Sequence, residues 1–167
     1  MNIAVIGAVG GCGKTAIARA LAEDFGLTYC SIDPLDQGDE PFSAGATGCV
    51  IDCPPEVTPL METALQCADR VILVLKMPHL VSSGMISSAT KLISAQTAIC
   101  RPDTPIVVVR MNGSQAFLRP SNDEVDSYMA AMYRNVSNLR LVKPYGEICG
   151  HRATSETARA VYDLCCQ

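Results

Sequence analysis

The chain has no apolar run long enough to cross a membrane. Neither half is basic enough to announce nucleic acid binding: Lys and Arg stand at 5 against 10 acids in residues 1–100 and 8 against 7 in residues 101–167. No basic stretch followed by an apolar one and a cleavage site opens the sequence, so the nine cysteines are expected in a reducing cytoplasm rather than in disulfides. Cys49, Cys53, Cys165 and Cys166 match no common zinc spacing, which leaves most thiols as small core residues. The two histidines, His79 and His151, lie at no metal-ligand spacing and are read as polar loop or edge residues. There are no repeats and no low-complexity segments. At 167 residues and 49% hydrophobic content, the chain is expected to form one domain around one core.

What the sequence does have is a glycine-rich turn, Gly7-Ala8-Val9-Gly10-Gly11-Cys12-Gly13-Lys14-Thr15. It follows a short apolar run, Asn2 to Ile6, and precedes a helical pattern from Thr15 to Phe25. Glycines in that setting let the backbone approach an anion, and the free N–H groups and dipole of the helix start supply the positive field. The spacing is that of the phosphate-binding loop G-x-x-x-x-G-K-[ST], with Ala8 in the first place. Lys14 is then expected on the β- and γ-phosphates and the Thr15 hydroxyl on Mg²⁺. Cys12, between a cation and a helix start, is the thiol expected to be oxidisable, with nucleotide shielding it.

Further strands are expected at Thr28 to Ile32, Gly48 to Ile51, Val71 to Leu75, Ile106 to Met111 and Leu139 to Val142. Helices are expected at Pro59 to Cys67, Ser82 to Thr97, Asp123 to Arg134 and Ser155 to Cys165. This alternation predicts a single-domain α/β fold, a parallel sheet with helices on both faces. The segment from Pro34 to Thr47 reads as too polar for core, a loop near the phosphates that switches with nucleotide. Asp52 closes an apolar strand before Cys53-Pro54-Pro55 and is the candidate metal-side acid, although an Asp there also serves as a helix cap. Asp33 ends the preceding strand and is either the group that orients or deprotonates water or a turn former before Pro34. Asp36 and Asp39 are read as solvated loop charges.

These segments resemble, in order and over nearly the whole chain, the ParA/MinD family of deviant Walker A P-loop ATPases. Gly10-Gly11-Cys12-Gly13-Lys14-Thr15 is similar to the family's G-G-x-G-K-[ST]. Ile32-Asp33-Pro34-Leu35-Asp36-Gln37-Gly38 resembles, with shifted spacing, its D-x-D-P-Q-G segment, and Ile51-Asp52-Cys53-Pro54-Pro55 its D-x-P-P segment. Ala68 to Leu75 with Pro78, and Val107 to Asn112, resemble the two following strands. The resemblance implies a P-loop NTPase that binds ATP and Mg²⁺. Gly10, Gly11, Cys12, Gly13, Lys14, Thr15, Ala16 and Asn112 would contact the nucleotide, Thr15 and Asp52 the metal, and Lys14 and Asp33 would serve hydrolysis. Adenine is implied over guanine because no N-K-x-D stands at Asn112. Asn112 also reads as a turn former before Gly113.

The chain departs from the family in two places. The signature lysine ahead of the Gly-Gly pair is replaced by Val9, and no other Lys or Arg precedes Lys14. That implies slow hydrolysis, a weaker ATP-dependent homodimer, or a substitute cation among Lys76, Arg110 and Arg152. The stretch from Asp36 to Asp52 is short, so helices that carry partner contacts in the family are missing. The function this implies is a nucleotide-dependent switch that recruits a partner protein in partition of DNA, conjugative transfer or positioning of a complex. A non-catalytic nucleotide-binding scaffold and a small-molecule P-loop kinase are the alternatives. Arg134, Arg140, Lys143, Arg152 and Arg159 could form a DNA-binding patch, but nearby acids make a solvated face the better reading. Val161 to Gln167 has one acid and no base, unlike a membrane-binding helix.

Overall fold

Apolar runs that alternate between two faces need cover on both sides, and the chain supplies it. The computed structural model describes residues 1–7, 10–34, 41–76, 83–111, 139–141, 148–149, 152–153 and 155–166. Among them, strands β1 (Ile3–Gly7), β2 (Thr28–Ser31), β3 (Cys49–Asp52), β4 (Arg70–Lys76), β5 (Ile106–Met111) and β6 (Leu139–Leu141) form one sheet in the order β2-β3-β1-β4-β5-β6. Every pairing in it is parallel. A separate two-residue antiparallel pair, β7 (Ile148–Cys149) and β8 (Arg152–Ala153), follows. The helices are α1 (Lys14–Phe25), α2 (Pro59–Cys67), α3 (Ser83–Ile99) and α4 (Ser155–Cys165). The helix expected over 123–134 lies outside the described residues.

The period of two in β1 sorts the core into layers. Ile3 and Val5 pack with Ile17 and Leu21 of α1 and Val161 of α4, whereas Ala4 and Ile6 pack with Met61 and Leu65 of α2 and Ile93 of α3. The connection from β1 through α1 runs to the β2 edge. Those from β3 through α2 and from β4 through α3 run the other way. A right-handed crossover must change face when it changes direction, so α1 lies opposite α2 and α3. The crevice this opens lies at the carboxyl ends of β1 and β3, the usual place for a ligand in a doubly wound sheet.

One expectation is corrected. The segment from Pro34 to Thr47 is not all excluded from the core: Phe42 and Ala46 pack against the α2 and α3 layer. The reason is topological, since a parallel connection must return to the amino end of the sheet before β3 starts. Ala46 has arrived there, because its carbonyl accepts a bond of 2.8 Å from Asn2 Nδ2. Residues 35–40, which include Asp36 and Asp39, lie outside the described set.

Candidate functional site

The turn after β1 works through its glycines. Gly7 is buried at the strand's end, and a Cβ built there would meet Cys12 Sγ at 2.6 Å and Lys14 Cγ and Cδ at 3.0 Å. Only a residue without a side chain lets the loop fold back so closely. Gly13 then begins α1 from φ 100°, a backbone conformation that L side chains rarely adopt. Its carbonyl accepts the first helical bond, from Ile17 N at 3.1 Å. No side chain caps this helix start, in contrast with α2, where Thr58 Oγ1 accepts from Met61 N at 3.2 Å. Thr58 therefore does for α2 what Asp52 could have done as a cap, and Asp52 is left to the other face.

Lys14 is 6% exposed, and among the described residues no carboxylate stands within ion-pair distance of it. An ammonium buried without a counter-ion is costly unless something else brings negative charge. Next to it in sequence, Thr15 Oγ1 donates to Asp52 Oδ2 at 2.6 Å, tying the start of α1 to the end of β3. Register explains the meeting. Asp52 shares strand parity with Val50, which packs in the α1 layer, so its carboxylate emerges on the side where Thr15 stands. Asp52 is 1% exposed and also accepts from the Tyr29 hydroxyl at 3.3 Å. Cys53 turns to the opposite layer, where burial and then the Asp52 carboxylate push its thiol up, with Lys14 opposing. Both charges of the site are thus felt at one sulfur.

The residues expected together are largely brought together. Gly10, Gly11, Gly13, Lys14, Thr15 and Ala16 lie at the start of α1, and Asp52 faces Thr15. Asp33 reaches the same edge: β2 pairs Ser31 with Asp52, Ile32 N donates to Asp52 O at 3.0 Å, and Asp33 follows, half-buried, its N–H donating to Ser31 Oγ at 3.3 Å. Cys12 is corrected. Its side chain is 2% exposed and packed close to Gly7, so the thiol is not offered to oxidants. The remaining buried thiols, Cys30, Cys49, Cys53, Cys100 and Cys165, are core residues. Asn112, Val9, His79 and His151 lie outside the described residues, as do the side chains of Lys76, Arg110 and Arg152.

Two contacts were missed by sequence reasoning. Tyr29 reaches the carboxylate from the neighbouring strand, and Gln96 of α3, fully buried, donates through Nε2 to Pro55 O at 3.2 Å, holding the turn after Asp52. A polar residue at a core position of an otherwise amphipathic helix was the available signal for Gln96. For Tyr29 the signal is register, which spacing does not reveal.

No family model matches the chain, and no curated protein does. Among solved structures it is similar to a diflavin flavoprotein A3 from Nostoc sp., at 14% identity over 99% of this chain and 86% of that one, with a TM-score of 0.44. It is also similar to an unliganded sugar kinase from Janibacter sp. HTCC2649, at 18% identity over 82% of this chain and 95% of that one, with a TM-score of 0.36. At these scores neither likeness bears on function. Among the described residues no helix is long and apolar enough to cross a membrane, and no group of three or more His, Cys, Asp or Glu could hold a metal.

Proposed function

We propose that the chain is a P-loop protein of the ParA/MinD kind that binds ATP with Mg²⁺, hydrolyses it slowly and uses its nucleotide state to govern self-association and recruitment of a partner protein in the cytoplasm. Partition of DNA, conjugative transfer and positioning of a complex are the processes such a switch serves. The observation that carries the reading is the Thr15 Oγ1 to Asp52 Oδ2 bond of 2.6 Å in the crevice between β1 and β3. A hydroxyl and a carboxylate from two elements meet there beside a buried lysine that has no ion-pair partner among the described residues.

The residues fit the cofactors. Mg²⁺ takes hard oxygen donors and is bound through few protein groups together with phosphates, and Thr15 and Asp52 are such donors. A phosphate chain needs backbone close approach, which Gly7 and the positive φ of Gly11 and Gly13 permit. Bound Mg²⁺ would neutralise charge on the phosphates. The chain's own contributions follow from the site. The Lys14 ammonium, shielded from water, offsets negative charge more strongly than it would in solvent. The start of α1, which no side chain caps, would offer its dipole and first-turn N–H groups to the anion. Asp33, at the same edge, orients or deprotonates the attacking water. With Val9 where the family carries its lysine, no partner cation reaches across from that position, and turnover is slow.

Nucleotide binding and mass by light scattering test the reading, with Mg²⁺ and either ADP or a slowly hydrolysed ATP analogue, in wild type, Lys14→Ala and Val9→Lys. A dimer formed only with the analogue and lost in Lys14→Ala is expected. No nucleotide binding by the wild type would overturn the proposal. Binding with no dimer and no turnover would leave a scaffold, and phosphate transfer to an added acceptor would indicate a kinase.

A further inference from the structure

We infer that Tyr29 is a positioning residue for Asp52, fixing the carboxylate in the orientation that receives a divalent cation; this rests on the nucleotide reading above. The torsion that turns a carboxylate about its last bond is broad, so an aspartate at a metal site needs ties to hold its oxygens. Two hydroxyls converge on the same oxygen here. Thr15 donates to Asp52 Oδ2 at 2.6 Å and Tyr29 at 3.3 Å. Thr15 is the one the cation would also engage, through the lone pairs that its bond to the carboxylate leaves over. Tyr29 comes from outside the loop and can keep its hold throughout.

The ring itself is fixed. Tyr29 is 3% exposed in the α1 layer, and the Arg19 guanidinium lies over its face at 4.7 Å from the centroid. Parallel pairing sets Tyr29 beside Val50 and Ser31 beside Asp52, so the tyrosine stands one diagonal step from the aspartate and its length spans the step. A phenylalanine would pack in that layer equally well. The hydroxyl is accounted for by the carboxylate it meets, since a buried phenol requires a partner.

The test titrates Mg²⁺ against a fluorescent ATP analogue in wild type, Tyr29→Phe, Asp52→Asn and the double variant, with the same binding measured in EDTA. Tyr29→Phe should raise the Mg²⁺ needed for half-maximal response by about three- to tenfold, the weight of one hydrogen bond. Binding in EDTA should be unchanged, and Tyr29→Phe should add nothing in the Asp52→Asn background. Arg19→Met, which uncovers the ring from the surface, should shift the Mg²⁺ requirement the same way by a smaller factor. An unchanged requirement in Tyr29→Phe, an equal loss in EDTA, or a full additional effect in Asp52→Asn would overturn the role of Tyr29 while leaving the nucleotide reading in place. Wild type that binds the analogue identically with and without Mg²⁺, or not at all, would overturn that reading and this inference with it.

Discussion

At the amino end of the sheet the chain satisfies itself. Asn2 donates through its backbone to Asp69 Oδ2 at 2.8 Å and through Nδ2 to Ala46 O at 2.8 Å, and its carbonyl accepts from Asp69 N at 2.9 Å. Arg101 Nη2 donates to Ala68 O at 2.9 Å, and Arg70 Nε to Cys165 O at 2.6 Å. At the carboxyl end, Lys14 is buried with no ion-pair partner among the described residues, and α1 starts from a glycine with no side-chain cap. One end uses its polar groups to join strands and helices, and the other holds a buried ammonium that no carboxylate among the described residues pairs. That contrast distinguishes a binding site from a structural network: substitutions at the site are expected to change ligand binding, and those in the network stability alone.

The contrast breaks hardest at Gly7. Gly7→Ala places a methyl 2.6 Å from Cys12 Sγ, and the buried sulfur has little room to yield. Overpacking of this kind costs about 1–3 kcal/mol, and it displaces the loop that precedes Lys14. Denaturant unfolding should show the loss, and nucleotide binding should fall with it. Adding Cys12→Ala should restore much of both by removing the atom in the way. Failure of that rescue would mean that the close approach is not what the glycine provides.

Lys14→Met separates the two properties. It removes a buried charge while keeping the length of the side chain, so the nucleotide-free protein should unfold at the same or higher denaturant, by about 1 kcal/mol. Affinity for ATP should fall at least tenfold. A variant that lost stability instead would show that Lys14 has a structural partner, and the difference between the two ends would disappear.

Much of this was readable in advance, for reasons that differ by residue. The helix Pro59–Cys67 could be placed to the residue because a Thr-Pro start is a cap followed by a first-turn proline. The strand Ile106–Met111 could be placed because its apolar run is bounded on both sides. The meeting of Thr15 with Asp52 was legible as chemistry, from a loop and a strand-terminal acid, although the bond itself was not. Tyr29 was not legible, since parallel partners are far apart in sequence and nothing in the spacing of Thr28 to Ser31 says which residue of Cys49 to Asp52 lies alongside. The burial of Cys12 was hidden for a similar reason. Its environment is made by Gly7, five residues away, which spacing alone does not bring alongside.

Smaller effects that leave binding alone sharpen the comparison, the first of them at the carboxyl end but away from the lysine. Thr58→Ala removes the cap of α2, and a loss of about 1 kcal/mol is expected in denaturant unfolding with no change in ATP affinity. If ATP affinity fell as well, the turn from Asp52 to Thr58 would be coupled to the site more tightly than the Gln96 tie implies.

Asp69→Asn should do least. The amide keeps an acceptor for Asn2 N–H and forfeits only the charge that faces Arg101 Nη2 at 3.6 Å and the terminal ammonium at 4.0 Å. Asp69 and Arg101 are 46% and 47% exposed, so solvent screens the pair and about 0.5 kcal/mol or less is at stake. The difference from wild type should shrink further in 1 M salt, where exposed charges are screened within about 3 Å. A loss that persisted at high salt would have to come from the hydrogen bond to Asn2. That would make the carboxylate's geometry, rather than its charge, what closes this end of the sheet, the same property asked of Asp52 at the other end.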